Sequence, residues 1–263
     1  MEFQLLGPVQ VRTNGKLIDL GDRKQRLVLA ILLLEPNRLI PVSRLISLLW
    51  PEGPPRSARR IVQAHISRLR GMLSRCQLQT SVPAEAVVVR RGPGYMLVCD
   101  PDQVDAHLFR GLLDRSRQSA DDHHRVNLLR QALGLWRGPA LADVASEEVH
   151  EELRRSLEEA RMAAVEERFA AELRLGHDRQ LIDELGDLVA RHPYRQQLVA
   201  ILMLALYRAG RAAESLAAYE RTRQRLVAEL GLEPSAELQR MQLAVLRAEP
   251  TLAHHPPTAA WRR

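Results

Sequence analysis

Within eleven residues, Arg60-Ile61-Val62-Gln63-Ala64-His65-Ile66-Ser67-Arg68-Leu69-Arg70 sets three arginines, a glutamine, a serine and a histidine among aliphatic residues. Arginine offers a rigid fork of donors that fits phosphate oxygens and the acceptor edge of guanine, and glutamine can pair with adenine. The chemistry of such a segment is recognition of a polyanion. Spacing sorts the side chains. With Val62 as reference, Ile66, Leu69 and Leu73 fall at i+4, i+7 and i+11, one core-facing stripe of a helix expected from about Ser57 to Ser74. The opposite face then carries Arg60, Ala64, Ser67, Arg68 and Gly71, with Gln63 and Arg70 on one flank and His65 on the other. His65 stands on the border between core edge and phosphate contact. Arginines that merely solvate a face would look the same, so this helix alone leaves both readings open.

Two further features favour nucleic acid. Val87-Val88-Val89 and Tyr95-Met96-Leu97-Val98 bracket Arg90-Arg91-Gly92-Pro93-Gly94, which predicts a hairpin with an arginine-bearing tip. Residues 1–100 hold 15 Lys or Arg against 7 Asp or Glu, whereas residues 101–263 hold 23 against 25. The whole positive excess of the chain therefore lies on its first hundred residues, as expected of a polyanion-binding module joined to a neutral one.

Catalytic patterns fail by inspection. The Gly-Lys pair Gly15-Lys16 is followed by Leu17, not by Ser or Thr, so no phosphate loop forms. His150-Glu151 opens a zinc-protease pattern, but Arg154 occupies the place of the second histidine. Gly-x-Ser-x-Gly is absent. Cys76 and Cys99 form no ligand set and no disulfide framework, and they are expected to be small buried hydrophobes in a reducing cytoplasm. The expectation is a protein without enzyme activity, cofactor or metal. The longest apolar run, Leu27 to Leu34, is too short to span a membrane, and the N-terminus lacks the pattern of a signal peptide.

The elements that must position the arginines follow from periodicity. Phe3 to Val11, a turn at Thr13-Asn14-Gly15, and Lys16 to Leu20 predict a small N-terminal sheet. A helix from Asp22 stops before Pro36, a second runs from Val42 to Trp50, and Pro51-Glu52-Gly53-Pro54-Pro55 makes a loop before the third. Sheet, three helices and terminal hairpin predict a winged helix-turn-helix over residues 1–100. From residue 101 to 248 amphipathic helix dominates. Gly176 and Gly210 stand 34 residues apart in breaks between helices, and Pro193 follows Gly176 by 17, the spacing of tetratricopeptide repeats. The fold class is thus mainly α, a winged helix (α+β) followed by an all-α repeat-like domain, with a disordered tail expected over 249–263. His123-His124 and His254-His255 are expected at the surface. On these residues a helical-repeat adaptor that binds no specific DNA stays open beside a sequence-specific DNA-binding regulator, as does the output half of a phosphorelay protein.

A family resemblance narrows the choice. The segment Arg60 to Arg70 followed by Arg91-Gly92-Pro93-Gly94-Tyr95 resembles the recognition helix and wing of response-regulator-type winged helices. With it go Phe3-Gln4-Leu5-Leu6-Gly7-Pro8-Val9, Lys24-Gln25-Arg26, Asp105-Ala106-His107-Leu108-Phe109, Leu135-Trp136-Arg137-Gly138-Pro139-Ala140-Leu141 and Glu229-Leu230-Gly231-Leu232-Glu233-Pro234. Together, over residues 2 to 247, they resemble the Streptomyces antibiotic regulatory protein family, and the chain looks like a small member without an appended ATPase module. The resemblance implies an activator of a secondary-metabolite gene cluster that binds double-stranded promoter direct repeats near the −35 region. A second copy would sit head-to-tail beside the first, and RNA polymerase would be recruited through its sigma factor and core subunits. By the same resemblance Arg60, His65 and Arg70 match backbone-contacting positions, Gln63 and Arg68 lie near base edges, and Arg90 or Arg91 serves the wing. Trp50, Pro51, Glu52 and Gly53 fall in the polymerase-facing loop. Three positions depart from the family pattern: Arg23 replaces a usual proline, Gly71 a basic residue, and Met96 a commonly basic wing residue.

Overall fold

The computed structural model describes residues 1–78, 86–144 and 148–253. The chain divides into two compact units, residues 1–117 with 130–162, and residues 118–129 with those from 163 onward.

The first unit opens on an antiparallel sheet, β1 (Glu2–Gln4), β2 (Gln10–Thr13) and β3 (Lys16–Leu17), ordered β1-β2-β3. Asn14 and Gly15 both take positive φ, as a two-residue hairpin turn requires. Helix α1 (Arg23–Leu34) starts where Asp22 accepts the amide of Gln25 at 2.8 Å, and Leu27 through Leu33 are all buried. The helix is apolar all round there because the core encloses it. β4 (Ile40–Pro41), α2 (Val42–Leu49) and α3 (Ala58–Gln77) follow, then the hairpin β5 (Val87–Arg91) and β6 (Gly94–Val98), giving a second sheet ordered β4-β6-β5. Gly94 is obligatory: a Cβ there would lie 2.2 Å from the carbonyl oxygen of Ile40, where β6 meets β4.

Beyond residue 100 the first unit continues to 117 and again over 130–162. A 3-10 turn (Pro101–Gln103) leads into α4 (Asp105–Gln118); α5 (Asp122–Gly134), an irregular stretch over 135–144 and α6 (Glu148–Arg174) come next. The irregular stretch explains the family motif at 135–141. Arg137 donates its amide to Leu6 at 2.8 Å, Leu141 to Leu5 at 3.0 Å and Ala142 to Gly7 at 3.2 Å, so it lies against the N-terminal strand's continuation as an extra backbone layer. Asp143 accepts the amide of Val9 and pairs with Arg26 at 2.8 Å. Trp136 packs edge-on against Phe109 under the guanidinium of Arg161.

The second unit is a helical array: α7 (Asp178–Arg191), α8 (Gln196–Arg208), α9 (Ala212–Leu230) and α10 (Ala236–Leu246). Gly176 and Gly210 both take φ near +80°, at equivalent turns, as the 34-residue period requires. Gly231 ends α9 in the left-handed conformation. One expectation needs correction. Chain order persists past Glu249: Pro250–Leu252 form a 3-10 turn, and Leu252 is buried with Ala244 and Val245. Arg208 holds it, donating to the carbonyls of Leu252 and Leu173 while pairing with Asp178. A buried leucine and a partly buried arginine outweigh the entropy of so short a segment. His254-His255 and the rest of that expected tail lie outside the described residues. No described helix is long and apolar enough to cross a membrane.

Candidate nucleic-acid interface

Helix α3 buries Val62, Ile66, Leu69 and Leu73, the stripe its spacing predicts, together with Ala58, Met72 and Cys76. Arg60, Gln63, Ser67, Arg68 and Arg70 are exposed, and Ala64 is half-buried between them. The arginines are therefore presented by a rigid helix whose opposite side is anchored in the core. This is the arrangement a major groove admits, since the groove accepts one α-helix and is read by its outward side chains.

His65 departs from the expected placement. It is 3% exposed, on the core side of the helix, and its Nδ1 finds no partner among the described residues. The reason lies in the spacing: His65, Leu69, Met72 and Cys76 fall at i, i+4, i+7 and i+11, a stripe adjoining the first one. This placement on the core side argues against the phosphate contact expected for His65. Burial also depresses its pKa, helped by the charges of Arg68 and Lys24 and opposed by Asp22.

Arg68 and Arg70 sit on opposite edges of the outer face and are tethered differently. Arg70 Nε donates to the carbonyl of Val88 at 2.7 Å, tying the helix to the wing strand. Arg68 Nη1 donates to Gln25 Oε1 at 3.2 Å and pairs with Asp22 Oδ2 at 3.4 Å. Burial would raise the Asp22 carboxyl, but the Gln25 amide and the charges of His65 and Arg68 hold it below its ordinary value. Neither Asp22 nor Gln25 stands among the DNA-contact residues expected from sequence. The signal was present, because Asp22-Arg23-Lys24-Gln25 has the Asp-x-x-Gln spacing of a helix start; here the glutamine turns to Arg68.

The wing is tighter than its sequence suggests. Both strands run through the arginines, with Arg90 opposite Tyr95 and Arg91 opposite Gly94, leaving only Gly92-Pro93 as the turn. Gly92 takes φ +48°, which permits so short a reversal. Arg90 and Arg91 are both exposed, and because successive strand residues point to opposite faces they project to different sides.

At the far end of α2, Trp50 is half-buried with Lys24 Nζ 4.5 Å from its ring centre. Pro51, Glu52 and Gly53 beside it are exposed, in a turn closed by the Gly53 amide on the Trp50 carbonyl. Cys76 and Cys99 are buried free thiols, and burial pushes Cys99 up to about 11. His123 and His124 are exposed. Among the described residues no group of His, Cys, Asp and Glu could hold a metal ion.

Residues 15–97 match the C-terminal domain of transcriptional regulatory proteins, and residues 104–246 match the bacterial transcriptional activator domain. The regulatory protein DnrI of Streptomyces peucetius is 38% identical over 263 residues, covering 98% of this chain and 96% of that protein. AfsR of Streptomyces coelicolor is 38% identical over 257 residues, which are 96% of this chain but only 25% of AfsR. The transcriptional regulator RedD of the same organism is 34% identical, covering 74% of RedD. A solved structure of Mycobacterium tuberculosis EmbR, in complex with a low-affinity phosphopeptide, superposes with a TM-score of 0.89 at 32% identity, over 95% of this chain and 65% of that one. Winged helix, activator domain and near full-length relatives agree: the chain belongs to the Streptomyces antibiotic regulatory protein family, transcriptional activators with a DNA-binding winged helix.

Proposed function

We propose that this activator binds direct repeats overlapping a promoter −35 region, recruits RNA polymerase there, and switches on a secondary-metabolite gene cluster. The observation that carries the reading is the outer face of α3, where Arg60, Gln63, Ala64, Ser67, Arg68 and Arg70 are displayed together on one rigid helix beside the arginine wing. In this reading Gln63, Ala64, Ser67 and Arg68 face base edges, while Arg60, Arg70 and the wing pair Arg90 and Arg91 neutralise phosphates. His65 shapes the core beneath. Half-buried Trp50 and the exposed Pro51, Glu52 and Gly53 form the turn that meets polymerase, including its sigma factor.

Two copies bind head-to-tail. Direct repeats one helical turn apart, roughly 34 Å, place neighbouring copies on the same side of the duplex. Footprinting across the gene neighbourhood, followed by gel shifts on the protected tandem repeats and on scrambled DNA of equal length, tests the reading. Protection of a repeated site upstream of a biosynthetic gene supports it. Equal retardation of both DNAs would make the chain a non-specific binder or an adaptor.

A further inference from the structure

Arg68 reaches from α3 to the first turn of α1, where Nη1 meets both Asp22 Oδ2 and Gln25 Oε1. A guanidinium carries five N–H donors in a planar fork, two on each Nη and one on Nε. Nη1 thus faces two acceptors at the start of α1, and the edge formed by Nε and Nη2 makes no hydrogen bond among the described residues. The side chain remains 55% exposed.

We propose that Arg68 reads a guanine through its Nε–Nη2 edge, and that Asp22 and Gln25 are the positioning residues that aim it. The inference rests on the DNA-reading face proposed above. Guanine presents O6 and N7 as two parallel acceptors in the major groove, matched by two parallel N–H donors from one guanidinium. A long side chain held before binding loses less rotamer freedom when the complex forms. The anchors are themselves fixed: Gln25 is buried, and Asp22 accepts the Gln25 amide as the cap of α1. An uncharged Ser or Asn would cap that helix as well. A carboxylate beside a polyanion is explained by its partner, because Arg68 cancels the charge that would otherwise repel phosphate.

The test is selection of the full chain on a randomised duplex library, read by sequencing, for the parent and for three sets of variants. The parent selects guanine at one position in each repeat. Arg68→Lys and Arg68→Ala lose that preference by roughly ten- to a hundredfold, and 7-deazaguanine, which lacks N7, weakens the parent but not Arg68→Ala. Asp22→Ser keeps a capping oxygen without the charge, and Gln25→Met keeps the buried volume without the acceptor. The double variant loses severalfold of the same preference while binding random duplex at least as tightly, an outcome that misfolding cannot produce. If it binds no DNA at all, Gln25→Met alone carries the test with the same expected drop. Full guanine preference in the Asp22 and Gln25 variants overturns the positioning role. Full preference in Arg68→Lys overturns the two-donor contact, leaving the DNA reader intact. A parent that selects no sequence overturns the DNA-reading function on which the inference rests.

Discussion

The two carboxylate oxygens of Asp105 accept the backbone amides of Leu5 and Leu6, at 2.7 and 3.0 Å, across about one hundred residues of sequence. Arg137 lies 3.7 Å from the same carboxylate, so the three segments 5–6, 105 and 137, each part of a family motif, meet around one buried acid.

Loss of that acid exposes its cost. Asp105→Ala leaves two buried amides without an acceptor and should lower unfolding free energy by roughly 2 to 4 kcal/mol. Burial raises the pKa of Asp105, against the pull of the Leu5 and Leu6 amides and of Arg137. A carboxyl raised on folding contributes stability that is present at acid pH and lost as pH rises through its folded value. The stability gap between the parent and Asp105→Asn should therefore be wider near pH 4 than near pH 7. Chemical denaturation at the two pH values measures it.

His65 titrates in the opposite sense. Its depressed pKa means that the stability tied to neutral His65 is present above about pH 6.5 and is lost as pH falls through the lower folded value. His65→Leu should flatten the loss between pH 7 and pH 5. It should also leave the salt dependence of DNA binding unchanged, because a buried ring contacts no phosphate. A shallower salt slope in that variant would contradict its place in the core.

Arg60 is the contrasting case. If it neutralises one phosphate, Arg60→Ala reduces the slope of log affinity against log salt by about 0.9 and weakens all sequences alike. Anisotropy titrations at four salt concentrations on specific and scrambled duplexes decide this. A loss confined to the specific duplex would move Arg60 to a base edge.

Gly94→Ala tests the wing as a construction. The added methyl meets a backbone carbonyl, which cannot swing aside as a side chain can, so the β4–β6 junction must open. We expect a loss of about 2 to 4 kcal/mol in stability, together with weaker DNA binding. Gly92→Ala, at a left-handed position with open space around it, should cost only about 1 kcal/mol. Thermal melts of the two variants should rank in that order.

Much of the local structure could be read from spacing. The core stripe of α3, the 34-residue period of Gly176 and Gly210, and the two-residue turn at Asn14-Gly15 follow from the repeat of side chains along one helix or strand, or from residues that tolerate positive φ. Even the burial of His65 was available in its i+4 distance to Leu69, once the stripe was drawn wide enough. Leu252 was not legible, because three prolines and few apolar residues nearby outweigh one leucine in composition, while the partners that dock it, Ala244, Val245 and Arg208, come from other helices.

By itself, then, the sequence determined which residues could meet a polyanion and on which helix they stand, since charge and period are properties of the chain alone. Only the tertiary structure decided how those residues are held. Arg68 depends on Asp22 and Gln25, Arg70 on the carbonyl of Val88, and the N-terminal strand on Asp105 and Arg137. Each of these pairings joins residues at least 18 apart in sequence. Hydrogen-bond partners at that range are chosen by packing, to which local periodicity is blind.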